Sequence, residues 1–325
     1  MEALSRPRTW KILLAFATIY LVWGSTFLAI RIGVSEVPPF LLAAMRFLVA
    51  GAVLYGWTRL KGTPPPTMRE WGNATFLAIL IFVLDYGMLF WAERRVPSGI
   101  AAVMLATIPV CMTLSEILIM KTQRLTLRLS AALLTGVAGV AVLVSRSFGL
   151  GDAPVDTVGA CVLIFCAISW SIASILTRKL TLPSVKSMSS AAQMSTGGVM
   201  LTITAALLGE FRGFHPQDIS GKAWFSLVYL IVAGSIIGFT AYVWLLHHES
   251  PTKVGTYAYV NPVIAVVLGY FLGGESMGPR TILGTLLILV SVIVITTAQA
   301  KKRSAPGVDS DTRPEAVPSE TTESV

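Results

Sequence analysis

Residues Ile12–Ile32 read ILLAFATIYLVWGSTFLAIRI, and Arg31 is the one charged residue among them. At about 1.5 Å of rise per residue, a helix of this length crosses the ~30 Å hydrocarbon core of a bilayer. The run follows Arg6, Arg8 and Lys11 as the apolar segment of a signal peptide would. It is too long for one, however, and no small-residue cleavage site follows, so it reads as a retained membrane helix.

Nine further runs share this character: Pro39–Leu60, Gly72–Ala92, Ser98–Met120, Leu127–Val144, Thr157–Lys179, Met188–Leu208, Ala223–Leu246, Thr252–Leu272 and Thr281–Thr297. Ten transmembrane helices in an all-α integral membrane protein are therefore predicted, joined by connections too short to hold a soluble domain. Composition agrees. Of the 325 residues 54% are apolar and 13% charged, with a mean hydropathy of +0.72, against roughly 25% charged in globular domains. This excludes an ordinary cytosolic enzyme and a disordered chain. The net charge of +8 would suit nucleic acid only if the basic residues gathered on one face or arm, whereas here they lie between apolar runs. Cys111, Cys161 and Cys166 fall within apolar runs, with no spacing that suggests a metal site or redox pair. No cofactor is expected.

The basic residues instead report orientation, because cytoplasmic loops carry the excess of Lys and Arg. With the N-terminus inside, the inner segments hold 16 such residues and the outer segments 7. Both termini of a multi-pass cell (inner) membrane protein are thus expected in the cytoplasm. Trp10, Trp57, Trp71 and Trp224 fall near predicted helix ends, as an interfacial belt would. From Lys301 the chain turns to Ser, Thr, Pro and Glu, which predicts a disordered cytoplasmic tail over 300–325.

The second five runs repeat the first. Trp23 and Arg31 fall on Trp170 and Arg178 at an offset of 147, Trp91 and Pro109 on Trp244 and Pro262 at 153, Pro97 on Pro251 at 154, and Ala132 and Gly139 on Gly284 and Ser291 at 152. Units over 12–144 and 157–299 follow, after a short cytoplasmic N-terminus over 1–11. Each has five helices, an odd number, so the second enters the membrane from the opposite side. Such an inverted repeat is the architecture of secondary transporters, in which the halves exchange conformations.

Three stretches resemble a known family. Tyr257-Ala-Tyr-Val-Asn-Pro-Val-Ile-Ala-Val-Val-Leu-Gly269 with Gly274-Glu275, Trp23-Gly-Ser-Thr-Phe27, and Arg46-Phe47 are similar to motifs of the EamA-type branch of the drug/metabolite transporter superfamily. The resemblance covers residues 10–300 and implies a central cavity and outward movement of amino acids, other metabolites or drugs. One departure is Thr122-Gln123, where the family often has Gly-Glu.

Candidate site residues follow from what lipid penalises. Pro109 and Pro262 stand mid-helix, where each removes a backbone hydrogen bond and frees the carbonyls of Leu105 and Ala258. The pair either makes static kinks or lines a substrate site, with Thr107 and Asn261 supplying hydrogen bonds. Trp23 and Trp170, far from the interface, either fill packing gaps or form cavity walls. With Ser25, Thr26, Ser171, Tyr86, Tyr242, Tyr257 and Tyr259 they would make an aromatic, hydroxyl-rich, charge-poor site for an apolar or zwitterionic solute. Arg46 and Asp85 are the two ionisable groups at depth, each about 10 Å inside the outer end of its helix. If the consecutive helices are neighbours, the two form either a fixed structural ion pair or a functional pair with Asp85 as a proton or substrate-amine acceptor; the remaining alternative is no contact. Glu275 is expected to cap a helix end.

The function predicted is secondary transport, most simply export, of a small organic metabolite, amino acid or drug by alternating access. The alternative is a membrane-embedded enzyme or a non-transporting receptor or scaffold. No clustered nucleophile, acid/base pair, metal set or nucleotide motif favours the enzyme. The expected partners are a small-molecule substrate and the bilayer, with protons as candidate coupling ions, a homodimer as a candidate assembly, and no nucleic acid.

Overall fold

The computed structural model describes the chain apart from residues 1–8, 109, 112, 113, 115, 116, 118–125, 145–155, 178, 213, 249–256 and 305–325. Pro109, Thr122, Gln123, Arg178, Pro251 and most of the expected tail lie outside the described residues. Every regular element among those described is helical. In chain order they are α1 (Thr9–Val34), α2 (Pro39–Leu60), α3 (Met68–Ala78) and α4 (Met88–Glu93), α5 (Ser98–Leu105), α6 (Leu127–Val144), α7 (Thr157–Thr177), α8 (Lys186–Leu207), α9 (Gly221–Tyr229) and α10 (Gly238–His248), α11 (Tyr257–Phe271) and α12 (Pro279–Ser304). A wider, π-helical stretch joins α3 to α4 over Ile79–Gly87, and another joins α9 to α10 over Leu230–Ile237.

Among the described residues, five continuous helical stretches are long and apolar enough to span a bilayer: Thr9–Val34, Pro39–Leu60, Met68–Glu93, Thr157–Thr177 and Gly221–Tyr242. Shorter apolar helices run over Leu127–Val142, Val260–Phe271 and Pro279–Val294. Helix α8 is as long as α2 but rich in Ser and Thr. It tolerates them because Ser190, Thr196 and Thr202 donate to the carbonyls of Lys186, Ala192 and Gly198 one turn back. At its far end α12 runs through Ser304, so Lys301–Ser304, expected in the tail, are helical.

Local sequence explains the helix starts. Thr67 and Glu70 form a reciprocal capping box ahead of α3, which extends that helix beyond the apolar run. The Ser220 hydroxyl accepts from Ala223 N at the start of α9, and Pro39 occupies the first turn of α2. Gly62 and Gly209, just past α2 and α8, adopt φ of +81° and +72°, a left-handed conformation that glycine supplies without a Cβ penalty.

Packing pairs each element with one from the other half. Helix α2 lies along α8 and α6 along α12, while α1 packs on α10 and α11, and α7 on α4, α5 and the Ile79–Gly87 stretch. Bare glycines set the approach. A Cβ on Gly51 would stand 2.7 Å from Ser195 N, and one on Gly198 2.7 Å from Leu48 N. In the second pair, a Cβ on Gly136 would meet Ser291 Oγ at 2.7 Å and one on Gly139 the Gly284 carbonyl at 3.0 Å. Ser291 also donates to the Ala132 carbonyl at 2.6 Å. Small residues at such crossings let backbones close in and gain dispersion contact, the main attraction between helices in lipid. Phe47, Phe90, Leu42, Met104, Leu163 and Leu201 fill the centre, while Leu13, Val53, Phe76, Phe165, Phe225 and Leu286 face outward, as a lipid-exposed surface requires.

Candidate functional site

The site is built on the two π-helical stretches. Widening a helix by a residue disrupts its regular backbone bonding, and in the membrane interior any carbonyl so released needs a donor. Helices of the opposite half supply donors to both stretches. Trp23 Nε1 on α1 donates to the Gly234 carbonyl at 3.1 Å. On α7, Ser169 Oγ donates to the Leu80 carbonyl at 2.8 Å and Cys166 Sγ to that of Asp85 at 3.4 Å.

Trp23 also anchors an aromatic triangle. Its ring centroid lies 5.1 Å from those of Tyr242 and Tyr257, which are 6.0 Å from each other. A second aromatic group forms around α2, with Phe47 4.7 Å from Phe82 and 4.8 Å from Tyr86, and Tyr86 6.1 Å from Trp170. Arg46 belongs to the second group and approaches the first through Gly234. Its guanidinium lies over the rings of Phe47, Tyr86 and Phe90 at 4.8, 5.3 and 5.9 Å. Nε donates to Ser235 Oγ at 2.9 Å, and a Cβ on Gly234 would stand 3.2 Å from Nη2. Nη1 has no hydrogen-bond partner. Cation–π contacts contribute about 2 kcal/mol when desolvated and a bond to a charged donor about 1.5–3 kcal/mol. Burying the charge costs several kcal/mol, so a ligand that neutralised it would be favoured.

The structure does not join Arg46 to Asp85. The ion pair found among the described residues is Arg95–Asp156, at 3.5 Å. Asp85 is buried with Oδ1 unpartnered. Equal depth in two helices places two residues on one level without turning them toward each other. Nor are these the sole ionisable groups away from solvent, since Glu93 at the end of α4 is fully buried and neither of its carboxylate oxygens has a hydrogen-bond partner.

The predicted hydroxyls are largely occupied by backbone. Thr26 donates to the Trp23 carbonyl at 2.6 Å and Thr107 to that of Met104 at 2.6 Å. Ser25 bonds the Leu21 and Val22 carbonyls and lies 2.6 Å from Tyr229 Oη. Ser171 bonds Ala167 and reaches across to the Ile108 carbonyl at 3.3 Å, beside the turn at Ala106–Thr107 that interrupts the chain just before position 109. Pro262 is inside α11. The adjacent Asn261 amide, with its nitrogen turned to the carbonyls, donates to Tyr20 O and Tyr257 O at 3.2 Å each, tying α11 to α1. Of Tyr259 only the backbone is described. Ser235, Gly234, Phe90 and Glu93 were not anticipated. Ser235, the lone hydroxyl within Leu230–Ile237, was the available signal.

At one end of the helices, carboxylates hold helix starts across the two halves. Glu36 accepts from Ser220 N and Oγ at 2.6 Å each. Glu210 accepts from Leu41 N at 2.8 Å, and Glu275 accepts from Ser98 N and Gly99 N at 2.6 and 3.0 Å. The expected capping role of Glu275 is thus visible. Gly269 leaves it room, because a Cβ there would stand 2.5 Å from Glu275 Oε2. The Ser220 hydroxyl and amide hold the Glu36 carboxyl below its ordinary range, whereas burial raises that of Glu210 against the Leu41 and Phe40 amides. A cleft of about 710 Å³ opens at this end between Pro39, Phe40, Trp91, Arg94, Arg95 and Leu208, away from the aromatic triangle.

Paired halves of this kind agree with a family model. The model of the EamA-like transporter family matches the chain twice, over residues 9–145 and 157–297. The chain belongs to the EamA-like transporter family. Among relatives, the uncharacterized inner membrane transporter YedA of Escherichia coli (strain K12) is 37% identical over 284 residues, covering 87% of this chain and 89% of that protein. An uncharacterized transporter of Archaeoglobus fulgidus is 25% identical over 290 residues, covering 88% and 97%. A crystal structure at 24% identity superposes with a TM-score of 0.59 over 92% of this chain and 100% of that one, which places this EamA-like chain in a known fold.

Proposed function

We propose that the chain is a cell-membrane secondary transporter of ten helices in two inverted five-helix repeats, which exports a small organic metabolite, amino acid or drug by alternating access. The observation that carries the proposal is reciprocal packing. Gly51 meets Ser195 while Gly198 meets Leu48, and Gly136 meets Ser291 while Gly139 meets Ile288, as two copies related by a two-fold axis in the membrane plane would. The double match of the family model and the name of the Escherichia coli relative support the same reading. In it, the π-helical stretches and the aromatic groups beside them lie where the repeats meet. The ends bearing Glu36, Glu210 and Glu275 face outward, and both termini are cytoplasmic.

Two measurements test this. Reporter fusions after successive helices should alternate in sidedness, with a cytoplasmic C-terminus. Proteoliposomes holding the full-length protein should exchange radiolabelled amino acids, organic acids or cationic drugs faster than empty vesicles, with and without a proton gradient. An enzyme would alter such solutes without moving them, and a receptor would leave their distribution unchanged.

A further inference from the structure

Arg46 is 3% exposed and lies within 4 Å of no carboxylate oxygen among the described residues, the buried Asp85 and Glu93 included. Its edges differ. Nε is fixed by Ser235 Oγ, Nη2 lies against Gly234, and Nη1 has no partner. The faces of Phe47, Tyr86 and Phe90 surround the charge and provide no strong acceptor. Gly234, which Nη2 abuts, presents its carbonyl to the Trp23 indole, and Trp23 begins the triangle with Tyr242 and Tyr257. A held cation with a buried, unpartnered N–H and an apolar aromatic wall therefore flank a single residue.

We propose, resting on the transporter reading above, that Arg46 receives the anionic group of the transported solute and that this solute is an organic monoanion, a carboxylate on an apolar or aromatic body. One guanidinium suits one carboxylate by charge and by geometry, whereas a phosphate ester would call for further cations. The aromatic wall suits the uncharged remainder of such a molecule. Because Ser235 belongs to the Leu230–Ile237 stretch, an anion that draws the guanidinium away from Ser235 is felt directly in that segment.

The test uses the full-length protein in detergent and matched probe pairs: 3-phenylpropionate with 3-phenylpropanamide, and octanoate with octanamide, with chloride as a plain anion. In at least one pair the carboxylate should raise the melting temperature at concentrations about tenfold or more below its amide and below chloride. Arg46→Gln should abolish that advantage and Arg46→Lys should keep part of it. Pairs in which acid and amide act alike, or acid and chloride alike, overturn the assignment in the wild-type protein, whether or not a variant folds. So does a folded Arg46→Gln protein that keeps the carboxylate preference. Proteoliposome exchange separates this from the parent reading. Exchange confined to neutral and cationic solutes removes the role of Arg46 and leaves transport standing. Carboxylate binding that depends on Arg46 without exchange of any solute upholds the anion site and removes transport.

Discussion

Gly51 and Gly198 occupy equivalent places on opposite sides of one helix crossing. Each presents its bare Cα to the backbone of the residue three positions before the other, Gly51 to Ser195 and Gly198 to Leu48. Gly51 and Gly198, like Leu48 and Ser195, are separated by the same 147 positions that relate Trp23 to Trp170 and Gly62 to Gly209. One shift therefore aligns a contact, a half-buried indole position and a left-handed turn.

A methyl group at either glycine must push backbone aside. Gly51→Ala and Gly198→Ala should each destabilise the protein by about 1–3 kcal/mol, read as a lower melting temperature in detergent. Gly56→Ala is the control. A Cβ there meets nothing within 4 Å, and its helix propensity is better than that of glycine, so stability should hold or rise slightly.

Glu36 gives a pH signature outside the membrane-spanning helices. Ser220 holds its carboxyl below the ordinary 4.5, so the folded state prefers the ionised form. The resulting stability is present above the unfolded value and is lost as pH falls through the lowered folded one. The gap in melting temperature between wild type and Glu36→Gln should be constant from about pH 7 to about pH 5 and close toward about pH 3.

Asn261 and Thr107, expected to play matching parts, are predicted to differ. Asn261→Ala removes the amide that bonds the Tyr20 and Tyr257 carbonyls and with it the tie between α1 and α11, at about 1 kcal/mol. Solute affinity should fall with it. Thr107 bonds Met104 in its own turn, so Thr107→Ala should shift stability by less than about 1 kcal/mol. Melting temperatures and half-saturation constants for the two variants check both statements.

Asp85→Asn separates structure from coupling. Asp85 has no ion pair with Arg46 and an unpartnered Oδ1, so the neutral isostere should fold with nearly wild-type thermal stability. If Asp85 carries a proton, exchange by this variant should lose the pH dependence of the wild type between about pH 5 and pH 8. A stable variant with an unchanged pH profile removes that role.

Much of the helical architecture was legible because lipid penalises any unpaired backbone group. Pro39–Leu60 and Leu127–Val144 were read with the bounds that α2 and α6 adopt. The third run was read too short, because Thr67 and Glu70 begin that helix in polar sequence. Trp23, Tyr242 and Tyr257, read together as part of one aromatic set, lie in one triangle. The π-helical stretches left no local mark: neither holds a proline, and their carbonyls find donors on helices more than 80 positions away in the chain. Pairing Arg46 with Asp85 failed because depth along a helix says nothing about rotation around it. The guanidinium found a serine hydroxyl and three ring faces instead.

The carboxylates of Glu36, Glu210 and Glu275 hold one face together through neutral backbone amides rather than lysine or arginine. An attraction between a charge and a dipole in direct contact is short-ranged, and dissolved salt screens it far less than it screens separated charges. If that face meets the external medium, these contacts are less sensitive to swings in ionic conditions than a seam of exposed ion pairs alone would be.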